Sequence, residues 1–256
     1  MPAGLGEFLR SRRERLTPEA VGLPLGRRRR TPGLRREEVA ELAGIGVDWY
    51  VRLEQGRTVR PSAATIDALA AALRLDDTER AHLAVLARQT ARPAFEPETV
   101  PPAVKRLIEG LDQPAYATGR RWDVLAWNDA AGELFTDFGA CADEDRNILV
   151  YLLLDPATRR LFGKDWAAMA RHTVTQFRAA HDVFAGDPMF TRLAARLAAG
   201  SPEFTAWWED HDISVGRGSG RKVLHHPVRG VLTYDYATFQ ANDDAAVRLT
   251  VYAPAK

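Results

Sequence analysis

The chain has 256 residues, 46% of them hydrophobic, and a formal net charge of +1. That length suits two domains with real cores, and no stretch approaches the roughly 20 apolar residues of a membrane span. Cys141 is the only cysteine, which excludes an intramolecular disulfide and a cysteine-based zinc site.

The near-neutral total hides an asymmetry. Residues 1–92 hold 17 Arg against 12 Asp+Glu, a balance of +5, and the remainder holds 18 basic against 22 acidic residues, a balance of −4. A basic first part and an acidic second part suit a nucleic-acid module followed by a module with another task. The N-terminal run MPAGLGEFLRSRRERL is charged from Glu7 onward and has no apolar signal core, so a cytoplasmic, reduced location is expected.

Leu5, Phe8, Leu9 and Leu16 space a first amphipathic helix, with Arg10, Arg12, Arg13 and Arg15 on its other face. Residues 17–33 form a loop with three prolines and the run Arg27, Arg28, Arg29, Arg30. Then Arg35 to Gly56, RREEVAELAGIGVDWYVRLEQG, reads as two short helices joined by a tight turn. Val39, Ala40, Leu42 and Ala43 stripe the first. Gly44 stops it, because glycine tolerates the left-handed conformation. Ile45 plugs the core after the turn. The second helix runs from about Val47 to Gln55, with Tyr50 and Leu53 inward, and Gly56 ends it. Small Ala40 sits where the helices cross closely. This is helix-turn-helix grammar, in which the second helix enters the major groove of DNA. An ordinary helical hairpin shares the turn; the arginines crowding both flanks favour DNA.

Pro61-Ser62 opens a fourth helix, with Ile66, Leu69, Ala70 and Leu73 as its stripe. A fifth, about Asp77 to Arg88, completes an all-α domain over 1–92. The run 89–103, with four prolines and no periodicity, contains the linker, placed at 93–103. The second domain, 104–256, begins with a helix at about Val104 to Leu111. Two strand-like runs follow, Ala115 to Thr118 and Trp122 to Trp127. A helical region spans roughly Asp129 to Asp210, with breaks that include Asp155-Pro156 and Gly200–Pro202. Three more strand runs close the chain, Lys222 to His225, Val231 to Phe239 and Ala246 to Tyr252. Hairpin-length turns argue for an antiparallel sheet of about five strands, with the helical insert covering one face. The class is all-α followed by α+β.

The first domain resembles XRE/Cro-type helix-turn-helix regulators. The run RRTPGLRREEVAELAGIGVDWYVRLEQGR, with DVLAWN (123–128), LLDP (153–156), Asp165-Trp166, SPEFTAWWEDH (201–211) and HPVRGVLTYDY (226–236), is similar to the MmyB-like regulators. The resemblance implies a PAS-like C-terminal sheet whose helices enclose an apolar pocket for a fatty-acyl ligand, and a homodimer; no cofactor beyond such a ligand is expected. The chain departs from the motif at Gly46, where the recognition helix usually has a serine cap; glycine caps nearly as well, but a hydroxyl contact to phosphate is lost.

In this motif Val47, Asp48 and Arg52 reach base edges. Arg52 suits guanine O6 and N7, Asp48 a cytosine amino group or Arg52 itself, and Val47 a thymine methyl. Trp49 contacts the DNA backbone or packs on helix one. Arg27, Arg28, Arg29, Arg30, Arg35, Arg36, Arg57 and Arg60 are candidates for phosphate. Glu54 is expected to be structural, paired with a basic neighbour. In the second domain Phe162, Trp166, Met169, Phe177, Leu193 and Trp207 are candidate ligand-binding residues, with the plain-core reading competing at each. Arg171, Arg178, Arg192 and Arg196 are candidate carboxylate anchors, with a solvated helix face the favoured role for most of them. The histidines show no HExxH spacing and the chain has no GxSxG, so neither catalysis nor a metal is expected. The expected function is a DNA-binding transcription regulator, a repressor acting as a homodimer on an inverted repeat and sensing an apolar small molecule. The alternative is a C-terminal domain that only dimerises or docks a protein. A sensor requires a cavity, whereas a docking module requires a solid core and an exposed apolar patch.

Overall fold

The computed structural model describes residues 3–24, 33–57, 60–88, 94–214, 216, 218–241 and 246–255. The chain divides into two compact units, Met1–Phe95 with Arg178–Thr191 and His211–Ser214, and Glu96–Phe177 with Arg192–Asp210 and Val215–Lys256.

The first unit contains α1 (Ala3–Arg15), a 3-10 turn (Glu19–Val21), α2 (Arg36–Leu42), α3 (Val47–Glu54), α4 (Ala63–Ala72) and α5 (Asp77–Arg88). Leu5, Phe8, Leu9, Val39, Ala40, Tyr50, Leu53, Leu69, Leu83 and Leu86 meet in one core, as the 3.6-residue spacing requires. Gly44 adopts φ +63°, and the Ile45 N–H donates to the Ala40 carbonyl at 2.9 Å, which closes the α2–α3 turn. Ser62 caps α4 by accepting from the Thr65 N–H at 3.1 Å. α1 crosses α3 so closely that a Cβ added at Gly6 would lie 2.2 Å from the Glu54 carbonyl oxygen. Val183 and Ile213, from the later part of the chain, pack against the same core.

The second unit begins with α6 (Pro102–Glu109), β1 (Ala115–Thr118), β2 (Val124–Trp127), α7 (Asp129–Leu134), α8 (Ile148–Leu154) and α9 (Pro156–Phe162). Next come α10 (Trp166–Val183), α11 (Pro188–Gly200), α12 (Pro202–Glu209), β3 (Ser219–His226), β4 (Gly230–Gln240) and β5 (Arg248–Pro254). α10 and α11 supply residues to both units. The five strands form an antiparallel sheet in the order β2-β1-β5-β4-β3. Helix starts follow from local chemistry. Asn128, Asn147, Asp155 and Ser201 each accept from backbone N–H groups at an N-cap, and Pro156 and Pro202 open the first turns of α9 and α12.

Register sorts the sheet into two faces. Tyr116 faces Thr250, Tyr236 faces Tyr252 and Lys222 faces Tyr234 across the ladders, so these six share one side. On the other side Ala115, Ala117, Ala126, Leu249 and Val251 pack with Val104 and Ile108 of α6. That side leaves Val231 (65%) and Phe239 (57%) exposed on β4. Among the described residues no helix is long and apolar enough to cross a membrane.

Candidate functional site

α3 has two faces with different work. Tyr50, Leu53 and Glu54 are buried, whereas Val47, Asp48 and Arg52 are exposed. Gly46 is the N-cap without a side-chain bond. The buried face is fixed by charge as well as packing. Glu54 accepts from Arg13 Nε at 2.5 Å and from Arg36 Nε at 2.6 Å, and Arg13 Nη1 donates to the Leu34 carbonyl at 2.9 Å. Burial alone would raise the Glu54 carboxyl, but the hydrogen bonds from Arg13 and Arg36 outweigh it and hold the group below its ordinary range. Burial, with the Glu54 carboxylate beside it, pushes the Tyr50 phenol well above its usual value.

The phosphate candidates divide accordingly. Arg35, Arg57 and Arg60 are exposed. Arg36 is half-exposed and engaged with Glu54. Arg27 to Arg30 lie outside the described residues. Trp49 is half-buried and packs against the core of the first unit, which is one of the two roles open to it from sequence. Arg52 and Asp48 are exposed and have no side-chain partner among the described residues.

The same unit holds a buried ionic cluster that sequence spacing does not reveal. Asp182 accepts from Arg178 Nε at 3.0 Å and lies 3.2 Å from His82 Nε2 on α5. Burial opposes ionisation of Asp182, yet hydrogen bonds from His181 and His82 and the charge of Arg178 hold its carboxyl far below the ordinary range. Arg178 Nη2 also donates to His211 Nδ1. Arginine has no acceptor, so that nitrogen carries the lone pair and the imidazole is neutral. Burial and then the Arg178 charge push the His211 pKa down. Arg15 pairs with Asp212 at 2.9 Å.

In the second unit a cleft of about 250 Å³ is lined by Phe138, Val150, Tyr151 and Leu154 with Thr136, Cys141, Asp145, Asp155 and Arg196. An apolar lining with a few polar groups is the usual make-up of a small-molecule site. Arg196 is paired with Asp145 and donates to the Glu144 carbonyl. Of the other anchors considered, Arg171 pairs with Asp210 and Arg178 with Asp182, while Arg192 is exposed.

None of the six ligand candidates lines this cleft. Phe162, Trp166, Phe177 and Leu193 are buried, and Met169 and Trp207 are half-buried. Trp166 donates from Nε1 to the Leu152 carbonyl at 2.9 Å, under the Arg159 guanidinium at 3.8 Å from its ring centre. Phe177 stacks near Trp208. These contacts tie α8, α9, α10 and α12 together.

A family profile described as the MmyB-like transcription regulator ligand binding domain matches residues 100–256. A second, described as a helix-turn-helix domain, matches residues 5–83. No curated protein matches the chain.

Proposed function

Because the chain belongs to the MmyB-like transcription regulators, and so joins a helix-turn-helix to a ligand-binding domain rather than carrying an enzyme, we propose the finer reading that it is a repressor. In this reading it binds an inverted-repeat operator as a homodimer. It releases that operator when a fatty-acyl or similarly apolar molecule occupies the C-terminal domain. The observation that carries the DNA side is the division of α3: its inner face is locked to α1 and α2 through Glu54, leaving Val47, Asp48 and Arg52 presented outward. One such helix reads few bases, so two half-sites about one turn, roughly 34 Å, apart are expected. The apolar cleft of the second unit supports the small-molecule side. The exposed Val231 and Phe239 on the outer sheet face suit self-association.

A ligand changes operator affinity only through different affinities for the two dimer arrangements. A coupling on the order of 1–3 kcal/mol, about 5- to 150-fold, is expected. The experiment is footprinting and operator affinity with and without dodecanoate, at an occupancy verified by native mass spectrometry. A symmetric footprint weakened by the acid supports the reading. An asymmetric half-site, or equal affinities at full occupancy, rules it out.

A further inference from the structure

The DNA-reading unit is not built from the first part of the chain alone. α10 is one continuous helix, of which residues 166–177 belong to the second unit and 178–183 to the first. Residues 184–191 and 211–214 also belong to the first. Val183 and Ile213 pack against its apolar core. The charged contacts lie deeper. Asp182 is bound to Arg178 on its own helix and to His82 on α5. Arg178 Nη2 lies 3.4 Å from the Glu7 carboxylate on α1 and donates to His211 Nδ1. The end of α10 is thus gripped by α1, by α5 and by the 211–214 segment.

α1 is gripped on two sides in turn. At Gly4 it meets α10, where an added Cβ would lie 2.3 Å from the Asp182 carbonyl oxygen. At Gly6 it meets α3, where an added Cβ would lie 2.2 Å from the Glu54 carbonyl oxygen. Backbones this close have no layer of side chains between them to absorb a displacement, and a packed interior is stiff enough to pass one on. Charge pins both crossings, Glu7 to Arg178 on the α10 side and Arg13 to Glu54 on the α3 side. α1 is also fastened to α5, by an edge-on contact between the Phe8 and His82 rings and by the Arg12–Glu79 pair at 2.8 Å.

We propose that α1 is a relay, through which the position of α10 reaches the recognition helix by way of the Gly4–Asp182 and Gly6–Glu54 crossings. The proposal rests on the ligand reading above for what moves α10, and adds the route by which occupancy changes DNA affinity. A helix of 18 residues is a rod, so a shift of its first half arrives at Asp182. α1 carries the shift to Glu54, at the end of α3. Packed helices answer by small slides and rotations, and a slide of α3 moves Val47, Asp48 and Arg52 relative to the groove they are proposed to read. The ligand gains control of DNA to the extent that the two positions of α10 differ in affinity for it.

The test uses the full chain, with Gly4→Ala as a wedge at the α1–α10 crossing. Gly4 is buried and lines no part of the cleft. Hydrogen–deuterium exchange without ligand is expected to be faster than wild type in α3 and unchanged in α4. A unit that had merely lost stability would open in both. Operator affinity is then measured with and without dodecanoate, at an occupancy verified by native mass spectrometry. Wild type is expected to change by about 5- to 150-fold, and the variant by a factor smaller by about 5-fold or more. The far-ultraviolet helix signal reports folding; if Gly4→Ala is unfolded, Asp182→Asn takes its place and loosens the same junction from the α10 side. Exchange that rises in α3 and α4 together, or in neither, overturns the relay, and so does a variant that responds to dodecanoate as wild type does. In each of these cases a responding wild type keeps the ligand reading. A wild type unmoved at full occupancy overturns the ligand reading for this acid, and exchange in α3 and α4 then decides the relay alone.

Discussion

Arg13 Nε lies 2.5 Å from Glu54 Oε1, a buried ion pair that joins α1 to the end of α3 across 41 positions of sequence. Removing one partner of such a pair leaves the other charge buried and unmatched, which costs far more than an exposed pair contributes. Glu54→Gln should therefore lower the stability of the first unit by about 3 kcal/mol. Urea unfolding of the full chain, followed by the far-ultraviolet helix signal, measures this.

Acid should unfold the first unit in two stages. His211 is depressed on folding, so its contribution is present above its ordinary value near 6.5 and is lost as the pH falls through its folded value. Glu54 and Asp182 are also depressed. Their contributions are full above about 4.5 and 3.8, their ordinary values, and disappear at lower pH. Thermal midpoints from pH 8 to pH 3 should show both stages. Asp182→Asn should flatten the lower one, and His211→Asn the upper.

Arg52 is exposed and free of side-chain partners among the described residues. Arg52→Ala should thus leave the melting temperature unchanged and reduce discrimination between operator and scrambled DNA by about 1–3 kcal/mol. Equal weakening on both DNAs would assign Arg52 to phosphate instead. The discriminating measurement is affinity for the two DNAs across a salt series.

Gly6→Ala sets two effects against each other. Alanine favours a helix by about 1 kcal/mol over glycine. At this position, however, its Cβ would meet the Glu54 carbonyl oxygen at 2.2 Å, and α1 and α3 would have to separate. Overpacking at a fixed helix crossing costs about 1–3 kcal/mol or more, so net destabilisation is expected. Differential scanning calorimetry of the variant is the check, with the exposed Ala64→Gly on α4 as a reference for propensity alone.

Leu154 lines the cleft and is half-buried. Leu154→Trp should fill part of the space and abolish the response of operator affinity to dodecanoate, while affinity without the acid stays at the wild-type value. Both quantities come from one fluorescence-anisotropy titration.

Much of the fold is local and was legible for that reason. The turn at Gly44, the Ser62 cap, the breaks at Asp155-Pro156 and Gly200–Pro202 and the five strand runs each depend on a few neighbouring residues. The helix-turn-helix core from Ala40 to Leu53 follows from one period. What spacing hides is pairing at long range. His82 and Asp182 are 100 positions apart, and neither looks unusual in its own window. The cleft was hidden for another reason. The large apolar residues from Phe162 to Trp207 signal burial, and burial does not separate a core from a cavity wall. The cleft falls instead beside residues 136–155 and Arg196, where the sequence is a loop and a short helix. Lys222 reads in sequence as one more charged residue on an edge strand, and only the ladder register shows that it turns toward the tyrosines.

The separation of the two faces of α3 bears on how such a protein changes over generations. Glu54, Tyr50 and Leu53 are bound into the fold, so drift there is punished whatever the DNA sequence. Val47, Asp48 and Arg52 face outward and can be exchanged with little effect on folding. On the proposed reading of these three as the base contacts, a duplicated copy would acquire a new set of target promoters through three codons, while inheriting its architecture unaltered.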